Sequence, residues 1–245
     1  MKEMSLTDHL EELRKRLIRI LGILILGFLI TYSQGEKIAE FLLAPLRLAM
    51  GGNGKIVYLN LFDKVISDFT LSFWSSILLT CPFWFYQVWA FVRPGLHDNE
   101  VKVIKPFIFA GFFLFICGIL FGYYGLFPLT FQVLMQAGVK DVEAMISLKD
   151  CLSLSSKVLV VLGLIFQLPI VMLILGFMGL VTKYSLRNLR RYVYVGLAIF
   201  AAVITPTPDP FTMMILWVPL ILLYEIGIIS VALIVHPYLE RKHMA

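Results

Sequence analysis

Two polar side chains interrupt the most apolar stretches of this 245-residue sequence, Gln167 in GLIFQLPI and Glu225 in LLYEIG. A carboxylate in such a segment is costly, so it marks either a functional group or one held neutral or bonded by a neighbouring helix. An amide reads first as an interhelical hydrogen bond. A second cluster lies near the start, where Glu11 and Glu12 precede Arg14, Lys15 and Arg16. Glu12 and Arg16 form an i,i+4 pair in the favourable order, and the carboxylates suit the first turns of a helix. Asp98 and Glu100 follow in a short polar connection.

None of these groups composes a catalytic site. His9, His97, His236 and His243 all fall at or near segment ends, and HExxH, GxSxG and phosphate-cradling glycine loops are missing. The serines near 67–76 and 153–156 have no base beside them and read as helix-packing residues. Cys81, Cys117 and Cys151 are scattered without CxxC spacing, which suggests neither a disulfide framework nor a metal centre. The expectation is a protein that is not an enzyme and needs no cofactor.

The elements that must position these residues follow from composition. The chain is 60% hydrophobic and 15% charged, with a mean hydropathy of +0.88. A soluble domain carries roughly 45–50% apolar and about 25% charged residues. A core of this size cannot hide the excess and still leave a water-compatible surface. Soluble enzymes, nucleic-acid-binding domains and disordered regulators are excluded, so the expected fold is an all-α integral membrane protein. The net charge of +5 is a matter of topology rather than of a nucleic-acid partner.

A hydrocarbon core about 30 Å thick needs ~20 apolar residues as a helix. Six segments qualify as candidates, near 17–33, 67–92, 106–128, 157–180, 192–205 and 211–235, within a single polytopic domain spanning 1–245. TYSQGEKIAE after the first segment contains no cleavage-site pattern, so that segment reads as a retained helix. Of the 21 Lys and Arg residues, 14 fall in the N-terminus up to Arg19 at the start of the first span, the 93–105 and 181–191 connections and the tail. That bias predicts both termini on the cytoplasmic side.

Two outward caps are expected, near 34–66 and 129–156. In the first, Ile38, Phe41, Leu42 and Leu46 stand at helical spacing, and GGNG then breaks the chain. In the second, 147–156 opens with Ser147 and reads as a second short cap on that side. Pro82, Pro169 and Pro219 lie inside spans and are expected to bend them. The fifth span has about 14 residues before the TPTPDP turn, about 21 Å of helix. It should form a tight hairpin with the sixth and thin the bilayer locally. Counted inward, Gln167 and Glu225 reach depths differing by about 6 Å, so they are expected to face each other or share a hydrated cavity.

The order of several short motifs makes the chain recognisable. HLEELRKRL at 9–17, APL at 44–46, YQVWAFVRPGL at 86–96 followed by HDNE, and FPL at 127–129 come first. FQLPI at 166–170, RNLRRYVYVG at 187–196, TPTPD at 205–209 and YEIG at 224–227 complete the series. Together they resemble the TatC family of twin-arginine translocase subunits along nearly the whole chain. The resemblance implies a six-span, glove- or cup-shaped helical fold in a bacterial-type cytoplasmic (inner) membrane.

The resemblance also implies a receptor for the signal peptides of folded cargo proteins, with an arginine pair read by Glu12 and Glu100. Arginine's planar fork suits such carboxylates, whereas lysine is a point charge. Each contact contributes on the order of 1.5–3 kcal/mol if shielded and under about 1 if exposed. By the same resemblance Arg14 orients the carboxylates, while Phe91 and Pro94 shape the signal-binding surface. Pro45, Asp209 and Glu225 match positions linked to structure, activity or partner contact. Many members place a glutamate where this chain has Gln167, so a titrating role there is not expected. The implied partners are the single-span subunits TatA and TatB, the lipid bilayer and further copies of the chain, with the proton-motive force driving transport.

Two other readings compete. A small-solute or ion transporter would use Gln167 and Glu225 as a midplane site. A purely structural subunit would leave the acidic residues of the cytoplasmic side without effect on mutation.

Overall fold

The computed structural model describes residues 6–51, 54–93, 98–136, 144–205 and 209–238. The chain opens with α1 (Leu6–Ser33) and α2 (Gly35–Met50), followed by α3 (Asp63–Leu79) and α4 (Cys81–Val92). Next come α5 (Asp98–Leu120), a π-helical segment (Phe121–Leu126) and α6 (Phe127–Gln136). The remaining helices are α7 (Leu148–Ile165), α8 (Leu168–Phe177), α9 (Lys183–Ile204) and α10 (Pro210–Ser230), the last continued by a π-helical segment at Val231–Val235. Two short strands, β1 (Gly54–Val57) and β2 (Ala144–Ser147), pair in parallel with Gly54 opposite Ala144. They tie the connection after α2 to the one before α7.

Four continuous helical stretches are long and apolar enough to cross a membrane: His9–Ser33, Pro106–Met135, Leu148–Phe177 and Pro210–Tyr238. The pair α3 and α4 reaches that length together but bends by 59°. The sequence accounts for the bend. Ser67, Ser72, Ser76 and Thr80 each return their hydroxyl to a carbonyl three or four residues back, which weakens the ladder. Pro82, in the first turn of α4, has no N–H to continue it. Trp84 Nε1 donates to the Ile77 carbonyl at 2.9 Å, so one carbonyl at the break still has a partner.

α9 is not among the long apolar stretches. It begins nine residues before the expected fifth span, so Arg187, Arg190 and Arg191 lie on the helix rather than in a connection. Thr182 caps it by accepting from Ser185 N at 3.2 Å. Residues 147–156 also differ from expectation. Ser147 accepts from Asp150 N at 3.3 Å as the N-cap of α7, and the chain then runs helical to Ile165, so 147–156 is continuous with the apolar helix that follows it.

Packing centres on α7, which lies between α3 and α5, while α8 and α9 both rest on α10. One buried cluster joins α2, α3, α7 and α10 through Leu46, Leu71, Leu162 and Leu220. A second joins α8, α9 and α10 through Leu173, Leu186 and Ile228. In lipid such contacts depend on close fit and interhelical hydrogen bonds rather than on expulsion of water. Thr31 Oγ1 donating to the Ser72 carbonyl at 2.9 Å supplies one such bond between α1 and α3.

Candidate functional site

The N-terminal end of α1 meets the C-terminal end of α4, and the joint brings several predicted residues together. His9 stacks on Phe91, with ring centroids 4.5 Å apart and planes 20° from parallel. One helical turn on, Arg16 Nε donates to Glu12 Oε1 at 2.9 Å, and Arg16 Nη2 contacts the same oxygen. Arg16 Nη1 reaches Gln87 Oε1 on α4 at 3.4 Å. Side-chain exposure is 21% for Glu12 and 17% for Arg16, so the pair is largely shielded. Glu12 Oε2 is buried and has no hydrogen-bond partner among the described residues. The joint is therefore a carboxylate already coordinating one guanidinium, with acceptor capacity to spare.

Arg14 points away, exposed, while Glu11 and Lys15 form an exposed pair at 2.7 Å. Pro94 lies outside the described residues. Glu100 falls in the first turn of α5, its side chain outside the described set.

Gln167 occupies the break between α7 and α8, and it is 8% exposed. Its backbone N–H turns to Leu164 O, so the Gly163 carbonyl loses its helical donor. The side-chain Nε2 approaches that carbonyl at 3.4 Å and donates to the Gly111 carbonyl of α5 at 2.9 Å. Beside it lies a cavity of ≈ 250 Å³ walled by Trp84, Phe85, Trp89, Ile108 and Ile170. Replacing Gln167 with Leu should lower stability by about 1–3 kcal/mol, because it removes the bond from α8's start to the Gly111 carbonyl of α5 and leaves the Gly163 carbonyl without a donor. Thermal unfolding in detergent measures this, and an unchanged midpoint would remove the amide's bridging role.

Glu225 does not share that cavity, contrary to the expectation that the two groups meet. Its carboxylate is held by Arg190 Nη2 and by Tyr194 Oη, which donates at 2.5 Å. Trp217 Nε1 to the Tyr194 carbonyl at 2.9 Å and Tyr224 Oη to the Leu186 carbonyl at 2.8 Å continue the α9–α10 seam. The two polar groups are thus separated by partner: Gln167 bonds α5, and Glu225 bonds α9. That arrangement offers no midplane solute site. Arg190 and Tyr194 were missed as partners, although a signal existed. Arg190 precedes the end of α9 by 14 residues and Glu225 follows the start of α10 by 15. At 1.5 Å per residue both stand about 21–23 Å from the turn, level across an antiparallel hairpin.

The other two predicted positions shape backbone. Pro45 lacks the N–H that would bond the Phe41 carbonyl, and Tyr123 Oη donates to that carbonyl at 2.7 Å. The rings of Phe41 and Tyr123 stack at 4.4 Å, fixing α2 against the π-helical segment. Asp209 caps α10, accepting from Thr212 N at 2.8 Å and from Thr212 Oγ1 at 2.6 Å. It stiffens the far side of the hairpin turn.

Residues 8–219 match the sequence model of the family described as "Sec-independent protein translocase protein (TatC)". The Sec-independent protein translocase protein TatC of Magnetococcus marinus is 38% identical over 223 residues, covering 91% of this chain and 82% of its own length. The protein of the same name from Deinococcus radiodurans is 37% identical over 227 residues, covering 91% of this chain and 84% of its own. A solved structure described as "Crystal Structure of Twin Arginine Translocase Receptor- TatC" superposes with a TM-score of 0.81 at 29% identity, over 92% of this chain and 98% of that one. The shared description is of a translocase subunit and not of an enzyme. With its family model, its relatives and its helical architecture in agreement, this chain belongs to the TatC family of Sec-independent protein translocase subunits.

Proposed function

We propose that the chain is the signal-peptide receptor of a twin-arginine translocase, reading the arginine pair at the α1–α4 joint on the cytoplasmic face. The observation that supports this most is Glu12, a shielded carboxylate that holds one guanidinium and keeps a second oxygen without a donor. A signal arginine would be read by that carboxylate, and Glu100 at the start of α5 would take the neighbouring one. Phe91, stacked on His9, would flank the entering peptide, with Pro94 and Arg14 at its edge. The apolar part of the signal would then lie along the membrane-facing surfaces of α4 and α5.

On this reading α9 is a sixth span, short and basic at its inner end, with both termini cytoplasmic in a bacterial-type inner membrane. Transport of folded cargo would require the single-span partners TatA and TatB and the proton-motive force, since the helices described here enclose no protein-sized passage.

Binding of a twin-arginine signal peptide to the protein in nanodiscs tests the reading. The expected result is affinity about tenfold above that of a twin-lysine peptide, and a loss of about tenfold on Glu12→Gln or Glu100→Gln. Equal binding of both peptides, or silence of both substitutions, would overturn it.

A further inference from the structure

Arg16 makes the same contacts with Glu12 that an incoming signal arginine would need. It engages Oε1 through Nε and Nη2, and its third nitrogen is tethered to Gln87 on the opposite helix. Among the described residues nothing hydrogen-bonds Glu12 Oε2, which is buried and closed to solvent. A foreign guanidinium therefore gains a two-bond grip on Glu12 only by displacing Arg16 from Oε1 and from Gln87.

We infer that Arg16 is a built-in competitor for the arginine-reading carboxylate and the residue that sets its preference for arginine over lysine. This rests on the reading of Glu12 as the signal-binding group. The physical argument is one of exchange. An arginine that replaces Arg16 restores two parallel N–H donors to the carboxylate, so the swap is nearly balanced and other contacts decide binding. A lysine that replaces Arg16 returns a single ammonium for a fork, and the swap runs uphill. Arg16 lies in the charged first half of α1 with a long aliphatic stem, so once displaced its charge can reach toward water. Gln87 sets the difficulty of that displacement by holding the third nitrogen. Lysine is rejected because the resting site is already satisfied by an arginine, a form of selection against the wrong ligand.

The test measures twin-arginine and twin-lysine peptide binding to full-length protein in nanodiscs, for wild type, Arg16→Met, Gln87→Met and Glu12→Gln. Arg16→Met should tighten the twin-arginine peptide about five- to tenfold and the twin-lysine peptide by more, so the arginine/lysine ratio falls. Gln87→Met leaves the Glu12–Arg16 pair in place and should tighten arginine binding by a smaller factor, about two- to threefold. A merely structural Arg16 predicts the opposite sign, weaker binding with the ratio unchanged.

Weaker or unchanged binding in both Arg16→Met and Gln87→Met, with Glu12→Gln still losing affinity, overturns the competitor and leaves the receptor reading standing. If Glu12→Gln binds like wild type, the receptor reading falls and the competitor falls with it. Should Arg16→Met fail to give monodisperse protein, Gln87→Met decides the matter by the same sign.

Discussion

Gly118→Ala should destabilise the protein by about 1–3 kcal/mol, and Gly118→Leu should prevent recovery of folded protein from the membrane. A Cβ built at Gly118 lies 2.8 Å from the Leu162 carbonyl oxygen and 3.1 Å from the Gly163 Cα. Both are backbone atoms of α7, so no side-chain rotation relieves the clash and α5 must move away from α7. The facing position is equally tight, since a Cβ at Gly163 lies 2.7 Å from the ring of Phe115, which is fully buried. Separation there would also stretch the Gln167–Gly111 bond that crosses the same seam. The comparison is Gly196→Ala on α9, where an added Cβ meets nothing within 4 Å. That substitution should be neutral or stabilising by about 0.5–1 kcal/mol, through helix propensity alone. Thermal unfolding in detergent, read beside gel-filtration profiles, ranks the three. Equal midpoints for Gly118→Ala and Gly196→Ala would exclude the close approach.

That seam shows where sequence reading reaches and where it stops. Hydropathy located the apolar segments because lipid demands about 20 consecutive apolar residues and tolerates little else. It could not show that Gly118 and Gly163 face each other, since a small residue gives the same hydropathy wherever it points. The motif spacing that identified the family also nominated Glu12, whose i,i+4 partner Arg16 was visible from helical periodicity. The second tether of that pair, Gln87, comes from a helix 71 residues away in sequence and needed the fold.

The misplaced start of α9 has a physical cause as well. Arg187, Arg190 and Arg191 read as a connection when summed for hydropathy, yet Thr182 caps the helix before them and arginine is a good helix former. Assigning Arg190 to a connection removed the cation that answers Glu225, which was then paired by depth with Gln167. Depth alone is a weak guide where the chain breaks. The interruption before Leu168–Pro169 turns Gln167 toward α5, and nothing in its distance along the chain records that turn.

Glu225→Met and Arg190→Met should each cost about 2–3 kcal/mol, whereas the double replacement should recover most of the loss. The reason lies in what each single change leaves behind. Without Glu225, the Arg190 guanidinium loses its counterion, and its Nε already lacks a partner. Without Arg190, Glu225 keeps only the Tyr194 hydroxyl. A lone charge in an apolar setting is dear, but removing both charges leaves two flexible apolar side chains in one seam, and the penalty disappears with its cause. The damage should concentrate in α9. That helix is too basic to stand among the long apolar stretches, so its place depends on the polar seam it makes with α10. Hydrogen exchange should accordingly accelerate along 186–200 in either single variant while α5 and α7 keep their protection. A coupling energy near zero across the four proteins would show that the pair does not hold the hairpin. A strong coupling with unchanged exchange in α9 would place its effect elsewhere. Coupling together with local opening is the result the geometry predicts, and it would make Glu225 the group that secures α9 against α10.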